Sequence, residues 1–70
     1  MDIEKKSGII YYTLSPEEFK VLQEDEVGKG FEHDFWPVKE GGDIYFRVGY
    51  TEHAPAQNEF DNFAKTQEWK

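Results

Sequence analysis

The sequence predicts an α+β domain in the order β-α-β-β-α, a three-stranded, mainly antiparallel sheet with both helices on one face. Three observations carry this. Residues 8–14 (GIIYYTL) and 43–51 (DIYFRVGYT) are rich in β-branched and aromatic side chains. Ser15-Pro16-Glu17-Glu18 is a helix start, and Glu40-Gly41-Gly42 separates two strand-like runs as a hairpin connection. Seventy residues make one domain, 1–70, near the smallest size that folds without staples, and the chain has no Cys to supply any.

Residues 1–6 are polar and are expected to fray. In the strand that follows, Ile10, Tyr12 and Leu14 share one side and Ile9, Tyr11 and Thr13 the other. Both sides are apolar, as in a central strand or one whose second face meets another chain. Ser15 then caps a helix, Pro16 suits its first position, and Glu18 completes a capping box. The helix should reach about Asp25 with Phe19 and Leu22 inward and Val21 on the flank. Val27-Gly28-Lys29-Gly30 should end it, because glycine accepts left-handed backbone cheaply.

Phe31–Lys39 and Asp43–Thr51 read as the arms of a hairpin. The second arm alternates, with Ile44, Phe46, Val48 and Tyr50 inward and Tyr45, Arg47 and Thr51 outward. A two-residue Gly41-Gly42 turn would pair Lys39 with Ile44 and expel Trp36 from the inner face. A three-residue loop, Glu40 to Gly42, keeps Trp36 and Val38 inside and is therefore the expected register. Pro37 lacks a donor and marks an edge strand. A second helix is expected over Asn58–Glu68, capped by Asn58, with Phe60, Phe63 and Ala64 buried and Trp69 folding back as a plug. The expected core is Trp36, Phe46 and Val48 under Phe19, Leu22, Phe60 and Phe63.

Composition bounds the function. Fifteen carboxylates stand against eight Lys and Arg, giving a net charge of −7, and six Phe, four Tyr and two Trp supply the core. The N-terminal residues show no signal or transit pattern, and the longest apolar run, Ile9 to Tyr12, is too short to span a bilayer. With no Cys, a reducing cytoplasm is the expected location. A negative field repels nucleic acid and anionic lipid and attracts basic protein surfaces. With one arginine and scattered lysines there is no basic track for phosphates, so direct nucleic-acid binding is not expected.

No sequence pattern calls for a cofactor. Glu32-His33 and Glu52-His53, with Asp34 nearby, hold the residue types of a metal site but not a helical ligand spacing. They read instead as surface groups. No Ser pairs with a His at a recognisable spacing, and Gly28-x-Gly30 lacks the remainder of a phosphate loop. The expectation is a non-enzyme.

The acids themselves are the remaining candidates. Glu17, Glu18, Glu24, Asp25, Glu26, Glu32 and Asp34 fall along the first helix and the chain that follows, with Phe35 as an aromatic anchor among them. Such a surface imitates a nucleic-acid backbone and suits the basic groove of a nucleic-acid-binding protein. Small acidic proteins without cysteine are typical of phage-encoded inhibitors, an analogy of composition and not of motif. One alternative is a homodimer or larger homo-oligomer joined through Ile9, Tyr11 and Tyr45 on the uncovered sheet face, and a second, less favoured, is a small metal-binding domain centred on His33 and His53.

Overall fold

Two β-hairpins, two α-helices and a 3₁₀ helix build the molecule. The computed structural model describes residues 1–69, in the order β1 (Asp2–Lys6), β2 (Ile9–Leu14), α1 (Pro16–Glu24), a 3₁₀ helix (Gly28–Asp34), β3 (Trp36–Glu40), β4 (Asp43–Thr51) and α2 (Pro55–Thr66). All strand pairs are antiparallel and the sheet order is β1-β2-β4-β3. The α+β class is as expected, but the sheet has four strands and a third, 3₁₀, helix is present.

The extra strand is the segment expected to fray. Ser7 and Gly8 both adopt positive φ, 52° and 78°, and Lys6 pairs with Ile9 around them. That is a two-residue turn whose twist matches its strands. All five residues of β1 are exposed, so burial does not hold the strand in place. Its ladder with β2 does, aided by ion pairs of the Met1 ammonium with Glu18 at 2.9 Å, of Lys5 with Glu52, and of Glu4 with Arg47 at 3.6 Å. Charges on this outer strand also hinder pairing with other sheets.

β2 is central in the sheet, paired with β1 and β4, although only one of its two apolar sides is covered by helices. Tyr12, Leu14, Val48 and Tyr50 are buried on one face of the sheet. Phe19 and Leu22 from α1, Phe31 from the 3₁₀ helix, and Phe60, Phe63 and Ala64 from α2 cover them. Phe60 is the hub, fully buried, with the rings of Tyr12, Phe31, Phe35 and Tyr50 at centroid distances of 4.6 to 5.9 Å. Phe46 is half-buried and stacks on Phe19 at 4.0 Å.

The capping box forms. Ser15 Oγ accepts from the Glu18 amide at 3.2 Å, and Glu18 Oε1 accepts from the Ser15 amide at 2.9 Å. The helix exit is different from expectation. Neither Gly28 nor Gly30 is left-handed. Extended backbone at Asp25 ends α1, and Asp25 Oδ1 accepts from the amides of Val27 and Gly28 at 2.8 and 2.9 Å. Gly28 is instead needed for close approach, since a Cβ there would lie 2.7 Å from Leu22 O and 2.7 Å from Phe63 Cζ. Residues 31–34 belong to the 3₁₀ helix rather than to a strand, which turns Phe31 inward, edge-on to Phe60.

The hairpin register is also corrected. Gly41 and Gly42 have φ of 58° and 89°, and Glu40 pairs with Asp43, Lys39 with Ile44 and Trp36 with Arg47. Two adjacent glycines satisfy a two-residue turn with positive φ at both positions, and this local preference outweighs the burial of one tryptophan. Trp36 consequently lies on the outer face and is 43% exposed. Ile44 points to the inner side yet stays half exposed near the turn.

α2 begins three residues earlier than expected, with Pro55 in its first position and Ala54 as a cap that has no side-chain acceptor. Gln57, in the first turn, accepts from the His53 amide at 3.1 Å and donates to the Tyr12 hydroxyl at 2.9 Å, tying the helix start to the preceding turn and to β2. Asn58 therefore lies inside the helix. At the other end Glu68 is left-handed, with φ of 61°, and the Trp69 amide donates to Ala64 O. Trp69 folds back edge-on to Phe63 at 5.5 Å, as the sequence suggests. Among the described residues no helix is long and apolar enough to cross a membrane.

Candidate protein-binding surfaces

The two layers of the fold divide the charge. In the strands Asp2, Glu4, Glu40 and Asp43 are matched by Lys5, Lys6, Lys39 and Arg47, so the sheet has no net charge. Residues 16–34 hold Glu17, Glu18, Glu24, Asp25, Glu26, Glu32 and Asp34 against Lys20 and Lys29 alone. Residues 52–69 add Glu52, Glu59, Asp61 and Glu68 against Lys65. The negative charge thus belongs to the helical layer and the turns that lead into and out of it.

These acids are not equivalent. Glu18 closes the capping box and binds the Met1 ammonium. Its burial opposes ionisation, but the Ser15 hydrogen bond and the ammonium outweigh this and lower its pKa below the ordinary value. Asp25 holds the exit of α1 through its two amide contacts. Glu32 accepts from Gln23 Nε2 at 2.8 Å and ties the 3₁₀ helix to α1. Asp34 accepts from the Tyr50 hydroxyl at 3.0 Å, and burial together with this bond pushes the Tyr50 pKa well above its usual value. Glu17, Glu24 and Glu26 remain in solvent, Glu26 beside Lys29 at 3.4 Å. Phe35 is not a free anchor. It is half-buried against Phe19 at 5.4 Å and Phe60 at 5.7 Å, so its ring already serves the core.

A groove of about 540 Å³ opens between the exit of α1, the 3₁₀ helix and α2. Phe31 and Phe63 form its floor, Val27 one wall, and Asp25, Glu59 and Asn62 part of its rim. The groove is not legible in the sequence, because the strand expected over Phe31–Lys39 separates Phe31 from Phe63.

The opposite face of the sheet carries no helix. Ile9, Tyr11 and Tyr45 lie there half-buried, joined by the exposed Trp36 and the half-buried Val38. Arg47 sits 4.7 Å over the Tyr11 ring and reaches Glu4. The Tyr11 ring also covers Gly49, where a Cβ would meet it at 2.9 Å. The two histidines do not converge on a metal centre. His33 is on the 3₁₀ helix and His53 in the turn before α2, both exposed, and among the described residues no three His, Asp or Glu side chains are gathered to hold an ion. Comparison with protein-family models, with curated proteins and with solved structures finds no match to this chain.

Proposed function

We propose that this protein is a non-enzymatic binding module whose helical layer docks on a basic surface of a partner protein in the cytoplasm, in the manner of a small inhibitor that occupies a nucleic-acid-binding groove. The segregation of charge carries the reading: a sheet without net charge backs helices and connecting turns that hold the excess of carboxylate. Such an arrangement orients an approaching basic surface toward one side of a small molecule and raises the rate of productive encounter. Binding rather than catalysis is favoured because Glu18, Asp25, Glu32 and Asp34 act as caps and ties while Glu17, Glu24 and Glu26 stand in water.

Affinity capture from cell lysate tests this. A basic, nucleic-acid-handling protein should bind at low salt and be released both by high salt and by added duplex DNA. Capture that resists salt, or a partner that holds this protein and duplex together, would refute it. A second reading has its own observation: Trp36, Tyr11, Tyr45 and Ile9 lie together on a neutral, uncovered face, and an apolar patch of this kind on a small protein commonly marks an interface. Sedimentation showing a dimer that Tyr11→Lys dissociates would favour it, and a monomer at high concentration would exclude it.

A further inference from the structure

We infer that the groove between the 3₁₀ helix and α2 receives a short cationic and apolar segment of the partner, with an apolar side chain on the Phe31–Phe63 floor and an Arg or Lys at the Asp25–Glu59 rim. The inference rests on the reading of the helical layer as a docking surface and locates the anchor of that surface. Four properties of the groove select this occupant.

Its wall contains Val27, 63% exposed, an aliphatic side chain left in water beside two aromatic rings. Apolar surface so placed gains from being covered. On the rim, Glu59 makes no hydrogen bond or ion pair among the described residues. Asp25 is held in place through Oδ1 by two amides, so Oδ2 is a fixed acceptor that those bonds do not use. The two lysines of the flanking segments are engaged elsewhere among the described residues: Lys29 lies with Glu26, and Lys65 with Asp61 at 3.2 Å.

The carboxylates reject anionic segments, and the apolar floor rejects wholly polar ones. What suits both is a cation on an aliphatic stem with an apolar neighbour. Arginine is preferred over lysine, because its guanidinium bridges carboxylates and lies flat on aromatic rings. At about 540 Å³ the groove exceeds one side chain, so two or three consecutive residues fit it.

The test is a titration of ¹⁵N-labelled protein with the blocked peptide acetyl-Leu-Arg-Arg-Leu-amide, followed by amide chemical shifts. Shifts should concentrate at Val27, Gly30, Phe31, Phe63 and Thr66. Replacing both arginines by citrulline, or both leucines by serine, should remove most of the binding. Glu59→Lys should weaken it roughly tenfold or more, the loss of a charge-assisted contact plus repulsion. Glu59→Gln should weaken it in the same direction, and the spectrum of each variant reports its own fold. Equal binding of the citrulline peptide, shifts on the outer sheet face, or no binding at millimolar peptide would overturn the inference. Salt-sensitive shifts spread along α1 would overturn it too, while leaving the acidic layer as the docking surface. Failure of the lysate capture, by contrast, overturns the broader reading whatever the peptide does.

Discussion

Gly28 and Gly30 are two residues apart in one short segment, yet alanine should act oppositely at them. At Gly28 the new Cβ would sit 2.7 Å from a backbone oxygen, Leu22 O, and 2.7 Å from Phe63 Cζ, whereas at Gly30 it meets nothing within 4 Å. Neither position has positive φ, so alanine strains the backbone at neither. Alanine at a compatible position stabilises by about 0.4–1 kcal/mol through the unfolded chain. Overpacking a tight contact costs about 1–3 kcal/mol. Gly30→Ala should therefore raise stability slightly, and Gly28→Ala should lower it by about 1–2 kcal/mol net. In a domain this small the two melting temperatures should differ by roughly 10 °C. Thermal unfolding followed by far-ultraviolet circular dichroism, with urea titrations for the free energies, measures both. Equal shifts in one direction would refute the close-approach role of Gly28.

Phe60→Ala should cost ~3–5 kcal/mol, a large share of the roughly 4–10 kcal/mol expected for such a domain, and near-ultraviolet dichroism should report lost packing. A well-packed Phe60→Ala protein would contradict the hub. Trp36→Ala should cost less than about 1 kcal/mol by urea titration, since the ring is on the uncovered face, whereas a buried tryptophan would cost several. Glu18→Gln should destabilise the protein in a pH-dependent way. The folded pKa of Glu18 lies below the ordinary value of a glutamate, so its contribution is complete above that ordinary value and disappears as pH falls through the folded pKa. The gap between wild type and variant should be wide near neutral pH and should narrow progressively as pH falls below the ordinary carboxylate range. A gap that is independent of pH would show that the carboxylate charge is not what stabilises.

Elements specified by local chemistry were legible in the sequence. The Ser15–Glu18 box, the alternation of β4 and the central position of β2 each depend on a few adjacent residues, and each forms as read. What was not legible depended on weighing two local signals, or on tertiary partners. Asp2–Lys6 has poor strand composition and pairs because Ser7-Gly8 makes a tight turn and ion pairs fix its side chains. For Trp36, burial and turn geometry disagreed, and the turn won. The start of α2 was hidden because its cap, Ala54, offers no side-chain acceptor, whereas Asn58, four residues on, has the side chain of a cap. Of the candidate surface, the acidic stretch 17–34 was visible as composition. That Asp25 and Glu18 are structural caps was not, and neither was the groove, which needs Phe31 and Phe63 from distant parts of the chain.

The central claim is that carboxylates of the helical layer steer a basic partner, and the rate of association as a function of salt tests it most directly. Glu17, Glu24 and Glu26 are exposed and cap nothing, so reversing all three to Lys leaves the fold intact. Association of the captured partner with wild-type protein should slow steeply between low and physiological salt. The triple variant should associate roughly tenfold or more slowly at low salt, with a flatter salt dependence and an unchanged melting temperature. An association rate indifferent to salt, or equal for the two proteins, would contradict the account.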